Sequence, residues 1–107
     1  MEFINKLELR GFVGVCDIHE VGDNKCARFA VCTQYSYDSM DKTPVIDITW
    51  HNCVAWASEV PACKNLKKGD LVHLTGRLRR FKYTLADGAE ATGYDVMVHE
   101  LEILPLD

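Results

Sequence analysis

The 107-residue chain has no long apolar segment and few of the residues that build linkers. No stretch approaches the roughly 18 apolar residues of a membrane-spanning helix. The first ten residues alternate polar with apolar positions instead of forming the apolar block of a signal peptide. With only 7 Gly and 3 Pro, the chain leaves little room for a second unit. We therefore expect one cytoplasmic domain over residues 1–107.

The chain also lacks the motifs of enzymes and metal sites. Its five cysteines include no Cys-x-x-Cys pair, and its four histidines are spaced too widely for two of them to share a metal ion. No Gly-x-Ser-x-Gly, P-loop or Gly-x-Gly-x-x-Gly string is present. His51 and Cys53 have the same strand parity, but a buried thiol beside a packed histidine explains this pair better than catalysis. We expect no enzymatic activity, cofactor, metal or disulfide framework.

What the sequence does contain is alternating hydrophobicity, which predicts strands. Five strands are expected at 7–15, 27–33, 45–57, 71–81 and 93–104, with turns or loops at 17–25, 35–44 and 86–88. The alternation slips near His99, which indicates a bulge. Residues 58–66, with Ser58 as cap and Pro61 in the first turn, predict one short helix.

This element order predicts an all-β protein, a five-stranded OB-fold Greek-key barrel with one short helix between strands 3 and 4. A small SH3-like barrel or an open sheet would show the same periodicity. Phe29 and Tyr94 stand among alternating apolar residues and are expected in the core.

Charge is distributed unevenly along the chain. The net charge of −4 argues against binding a polyanion. Residues 64–83, however, carry 7 basic side chains and 1 acidic one, whereas residues 84–107 carry 6 acidic side chains and no basic ones. The basic block is either an ordinary solvated face or a site for phosphates.

Aromatic residues favour the second interpretation. Six of them lie in or beside the second, third and fourth predicted strands: Tyr35, Tyr37, Trp50, Trp56, Phe81 and Tyr83. Single-stranded nucleic acid needs this combination, because unpaired bases stack on aromatic rings while cations hold the phosphates.

The exposure of the tryptophans is open at this stage. Trp50 and Trp56 share parity, so both can point to one face of the sheet. Ile46 and Ile48 have the same parity as Trp50, which suggests that this face is buried at one end. A third strand with a buried early half and an exposed later half would allow buried isoleucines and exposed tryptophans on the same face.

Four successive blocks resemble the bacterial single-stranded DNA-binding protein family. They are residues 5–11 (NKLELRG), 49–56 (TWHNCVAW), 66–72 (LKKGDLV) and 76–79 (GRLR), in the order and at the spacing of that family. The resemblance implies an OB-fold domain that assembles, usually as a homotetramer. It also implies binding of single-stranded DNA without strong sequence preference, in DNA replication, recombination or repair.

Site residues follow from the resemblance position by position. The stacking aromatics would be Tyr37, Trp50, Trp56 and Tyr83. The cations that contact the DNA backbone would be Arg79 first, then Lys67, Lys68, Arg77, Arg80 and Lys82. Those residues of strand 3 with the opposite parity, His51, Cys53 and Ala55, would face the core or a contact between subunits.

The chain departs from the family pattern in two places. Residues 16–20 read CDIHE where the family has an Asp-Pro-Glu-x-Arg-like segment, and the sequence ends in LPLD without the family's flexible linker and acidic tip. That tip recruits replication and repair proteins, so such partners are expected only by another route. The alternative is an OB-fold protein-interaction module, or one like the primosomal accessory proteins, with weak or no binding of single-stranded DNA.

Overall fold

The computed structural model describes residues 1–106, which form a closed barrel of five strands. The strands are β1 (Leu7–Val21), β2 (Asn24–Asp38), β3 (Pro44–Trp56), β4 (Leu71–Thr84) and β5 (Glu90–Leu104), and a 3₁₀ helix (Pro61–Asn65) lies between β3 and β4. Around the barrel the order is β1-β2-β3-β5-β4, with β3 and β5 parallel and the other pairs antiparallel. The predicted barrel and the position of its short helix are confirmed.

The hairpins are longer than the sequence pattern predicts. The turn expected at 17–25 is only Gly22 and Asp23, and the loop expected at 35–44 begins at Ser39. Gly22 has a φ of 61°, which glycine adopts without strain. Both predictions were wrong because the far halves of these hairpins expose both faces to solvent, so polar residues occupy strand positions and the alternation disappears.

The short helix starts differently from the prediction. Its N-cap is Val60, with no side-chain cap, and Pro61 begins the turn. The expected cap, Ser58, instead accepts a hydrogen bond from Asn24 Nδ2 at 2.9 Å, which ties the β1–β2 turn to the end of β3. The cap assignment was wrong because a competing side-chain partner is available only in the folded chain.

Inward-facing side chains of all five strands fill the barrel. The core includes Leu9, Val13, Phe29, Val31, Cys53, Ala55, Val72, Leu74, Val96 and Val98, closed below by Val60, Cys63 and Leu66. Phe29 is in the core as predicted. Tyr94 is not, since 55% of its surface is exposed on the part of the β4–β5 hairpin that extends beyond the barrel.

Two irregularities shape the barrel. In the β4–β5 ladder Thr75 pairs with Glu100 and Gly76 with Val98, so His99 is an extra residue, and the predicted bulge is confirmed. A second shift lies in β1 between Val13 and Cys16. There β1 leaves β4, with which its first six residues pair, and continues along β2.

Candidate nucleic-acid interface

The outward faces of β1, β2 and β3 form aligned rows of side chains. Continuous pairing of β3 with residues Cys26 to Asp38 of β2 keeps alternate residues of the two strands on one face. From one end, the rows are Phe12–Cys32–Trp50, then Ala30–Asn52, then Asp17–Arg28–Val54, then His19–Cys26–Trp56. The two tryptophans therefore stand at the two ends of one outward face.

Trp50 is exposed, with 57% of its surface accessible. Its ring lies over Gly14, where an added Cβ would come within 2.5 Å of the ring. Ile46 and Ile48 are exposed as well. The expectation of a buried early half of β3 is thus reversed. The early half projects from the barrel with β2, and the later half is the part that enters the core.

Trp56 shares the outward face of Trp50 but is half-buried. It packs against a small outer cluster of Cys26, Val54 and Met97. Trp56 is six positions along β3 from Trp50, which corresponds to about 20 Å of extended strand.

A groove of about 310 Å³ crosses the face between the tryptophans. Its outward-pointing lining residues are Val15, Asp17, Arg28, Ala30, Asn52, Val54, Phe81 and Asp95. Phe81 reaches the groove from the β4–β5 hairpin, and its ring lies so close to Gly93 that an added Cβ there would be 2.6 Å away. The groove therefore has the exposed ring of Phe81 at its border and contains charges of both signs.

Arg79 is held at the edge of this groove by a bidentate ion pair. Its Nε donates to Asp95 Oδ1 and its Nη2 to Asp95 Oδ2, both at 2.8 Å. Hydrogen bonding to Asp95 raises the pKa of Arg79, so its charge is permanent. Asp95 is nearly buried, whereas 37% of the Arg79 side chain is exposed. The pair fixes the guanidinium in place and leaves Nη1 facing away from Asp95.

The other cations of β4 divide between its two faces. Arg77 shares the outward face with Arg79, and its Nη1 lies 3.3 Å from Nε2 of His99 in the bulge. Arg80 and Lys82 have the opposite parity, and Arg80 makes only a long 3.5 Å contact with Thr92. The predicted cations therefore surround the β4–β5 hairpin instead of lining one side of it.

Lys67 and Lys68 lie apart from this group. They belong to the loop before β4, which is bonded to Val13 in β1 through Gly69 and Asp70. This loop is at the opposite end of β4 from the Arg77–Tyr83 segment.

The two predicted tyrosines lie on the hairpins. Tyr37 has the parity opposite to Cys32, the partner of Trp50, so it lies on the other face of the β2–β3 hairpin. Its ring centroid is 6.1 Å from that of Tyr35. Tyr83 is 6.0 Å from Phe81 on the outward face of β4. Both are about half exposed.

Comparison with known proteins assigns the chain to a family. The single-strand binding protein (SSB) family matches residues 4–104. The chain belongs to this family. Single-stranded DNA-binding proteins from Neisseria meningitidis serogroups A and B are each 35% identical to it over 85 residues. That alignment covers 78% of this chain and 48% of theirs, so the chain spans about half the length of these SSB relatives.

Solved SSB structures share the fold. A Plasmodium falciparum SSB in complex with single-stranded DNA aligns with a TM-score of 0.84 at 22% identity, covering 100% of this chain and 98% of that one. A deletion mutant of Thermus aquaticus SSB aligns with a TM-score of 0.78 at 14% identity, covering 95% of this chain and 51% of that one. The barrel is therefore an SSB OB fold, and the family is a non-enzymatic, DNA-binding one.

Two residues of the groove, Phe81 and Arg28, are not among the site residues predicted from the sequence. Phe12, which lies in the row of Trp50 outside the groove, is not among them either. Arg28 carried a signal: it is the one cation in the predicted strand 27–33 and has the parity opposite to the core residue Phe29. Its partners across the sheet could not be read from the sequence.

The pairing of His51 with Cys53 has no catalytic geometry. The imidazole Nε2 of His51 lies 2.8 Å from Thr33 Oγ1, and the Cys53 thiol donates to the His51 carbonyl oxygen. Burial, with a smaller contribution from Asp95, raises the pKa of Cys53 to about 12, so the thiol stays protonated. Cys53 and Ala55 are core residues and His51 is half-buried.

Over residues 1–106 no cluster of three metal-ligating side chains occurs, and no helix is long and apolar enough to span a membrane.

Proposed function

We propose that this chain binds single-stranded DNA without strong sequence preference, as part of DNA replication, recombination or repair. The observation that carries the proposal is the outward face between Trp50 and Trp56, where exposed rings, a groove and unburied cations occur together. Membership of the SSB family supports the same substrate.

Bases would stack on the exposed rings. Trp50 and Tyr83 have exposed rings, the half-buried Trp56 offers the part of its side chain that stays accessible, and Tyr37 would contact a strand passing around the β2–β3 hairpin. Stacking of this kind tolerates any sequence, because every base has a π-face.

Phosphates would lie along the cations beside these rings. Arg79 would use Nη1 while Asp95 holds the rest of its guanidinium. The remaining cations are Arg77, Arg80 and Lys82 on the β4–β5 hairpin, with Lys67 and Lys68 forming a second contact at the far end of β4. Local clustering of charge thus outweighs the net charge of −4.

A second function, a protein-interaction module without DNA binding, is favoured by two observations. The net charge is acidic, and the exposed Ile46 and Ile48 extend an apolar stripe away from Trp50 along β3. Salt dependence separates the two functions, because only a DNA binder releases counterions.

Titration of tryptophan fluorescence with oligo(dT) at several salt concentrations tests the proposal. Trp50 and Trp56 are the only tryptophans, so quenching reports on the proposed face itself. A site that neutralises about four phosphates should give a slope of log affinity against log salt near −3, since each contact on a single strand contributes about −0.7. Unchanged fluorescence and no binding at low salt would contradict the proposal and favour the interaction module.

A further inference from the structure

We propose that the groove between the two tryptophans is a subsite that prefers guanine over the other DNA bases. The inference rests on the proposed binding of single-stranded DNA and adds a base preference at one position. It follows from three side chains that line the groove and are free to read a base edge: Asp17, Arg28 and Asn52.

Asp17 and Arg28 are directly opposite each other on β1 and β2. Their Cβ atoms are therefore about 5 Å apart, close enough to serve one base. Although they carry opposite charges, they form no ion pair, and within residues 1–106 neither side chain has a hydrogen-bond partner. The other carboxylate in the groove, Asp95, is already occupied by Arg79. The guanidinium of Arg28 and the carboxylate of Asp17 are thus both available, side by side, to bind a base.

The walls of the groove suit a flat ring. Phe81 stands at one side as a stacking surface, and Ala30, opposite Asn52, leaves the floor open. The groove volume of about 310 Å³ accommodates a single nucleotide better than a longer segment. A base stacked on Phe81 would direct its polar edge toward β1 and β2.

Guanine is the base that can form two hydrogen bonds with the guanidinium and two with the carboxylate. Its O6 and N7 accept two hydrogen bonds from an arginine, the commonest base-specific contact of that residue. Its N1–H and N2–H are two neighbouring donors, which match the two oxygens of one carboxylate and occur together on no other DNA base. Asn52, with one amide donor and one acceptor, can complete the edge. Arg28 would therefore take one edge of guanine and Asp17 the adjacent one.

The test is competition against a labelled oligo(dT) of about sixteen nucleotides, followed by fluorescence anisotropy. The competitors are unlabelled oligo(dT) and the same oligonucleotide with one central dG, which can slide until the dG occupies the subsite. We expect the dG oligonucleotide to bind roughly tenfold more tightly. Replacing that dG by 7-deaza-dG, which lacks N7, or by deoxyinosine, which lacks the N2 amine, should each remove most of the gain.

Arg28→Lys is the matched variant, because it keeps the positive charge and loses only the guanidinium. The readout is the ratio of its dG and dT affinities, which should fall to about one, and its circular dichroism melt should match that of the parent. Asp17→Asn should lose the preference as well.

Equal binding of the dT and dG oligonucleotides overturns the subsite and leaves the proposed function standing. A preference that survives Arg28→Lys also overturns it, since Arg28 would then act only on phosphates. Absence of binding by either oligonucleotide overturns the proposed function itself.

Discussion

Single residues on the outward face owe their function to what lies beneath or beside them. Trp50 is exposed because β3 has left the barrel at that point, and it keeps a defined position because Gly14 allows its ring to lie on β1. Arg79 is a cation with a fixed direction because Asp95 binds two of its three nitrogens. Each contact leads to a testable expectation.

Trp50→Ala should weaken binding of oligo(dT) about ten- to a hundredfold, because loss of one base–aromatic stack removes roughly 1–3 kcal/mol. Trp50→Phe should lose much less. Since the side chain is exposed, neither variant should change the thermal melt. Gly14→Ala should give a smaller loss by displacing the ring, since the new Cβ would be 2.5 Å from it. A Trp50→Ala protein that binds oligo(dT) like the parent would remove Trp50 from the site.

Arg79→Ala should reduce the salt slope by about 0.7 and also lower the melting temperature. The stability loss is expected because Asp95 stays buried without its partner, which is unfavourable by roughly 1–3 kcal/mol. Arg80→Ala is the matched control, since among residues 1–106 the one side-chain hydrogen-bond partner of Arg80 is Thr92, at 3.5 Å. It should reduce the slope without changing the melt. An Arg79→Ala melt identical to that of Arg80→Ala would show that the ion pair contributes nothing to stability.

At the scale of elements, the two long hairpins carry most of the candidate site. Both begin as walls of the barrel and continue beyond it, β2 with β3 and β4 with β5. Their near halves supply core residues, and their far halves supply exposed rings and cations. His51 lies at the point where the β2–β3 hairpin leaves the barrel, bonded to Thr33 across the ladder.

We expect this position of His51 to make the stability of the fold depend on pH. Burial lowers the pKa of His51 from the ordinary value of 6.5, so the unfolded chain takes up a proton at a higher pH than the folded chain does. The contribution of neutral His51 to the free energy of unfolding is complete above pH 6.5 and is lost as the pH falls below that value. The melting temperature should therefore decrease on acidification through this range, and His51→Gln should show a smaller decrease. An identical pH profile for the two proteins would exclude His51 as the cause.

The whole molecule leaves one strand edge without a partner. Residues 7–11 of β1 pair with β4 on one side, and within residues 1–106 no strand pairs with their other side. Nearby, Phe3 and Ile4 are almost fully exposed, and Asn5 is bonded to the Leu78 backbone on the adjacent strand β4. An open edge beside exposed apolar side chains is the feature that a second copy of a chain covers.

We therefore expect a homo-oligomer, with a homotetramer favoured over a homodimer by the resemblance to the SSB family. Light scattering at micromolar concentration should return at least twice the mass of the chain. Amide exchange of residues 7–11 should be slow in the oligomer and become faster on dilution. A monomer over the whole concentration range would contradict this expectation.

The sequence by itself determined the order of the strands along the chain, the bulge at His99 and the short helix after β3. Hydrophobic alternation and turn residues are local properties, so they can be read without knowing which strands pair. It also located Trp50 and Trp56 on one face, since parity within one strand needs no partner.

Only the tertiary structure decided the rest of the candidate site. The true length of the hairpins, the exposure of Trp50 and Tyr94, the pairing of Arg79 with Asp95 and the place of Arg28 all depend on register between strands. The far halves of the hairpins are exposed on both faces, so their hydrophobic pattern specifies register only weakly, and it is the closed barrel that brings together residues distant in the chain.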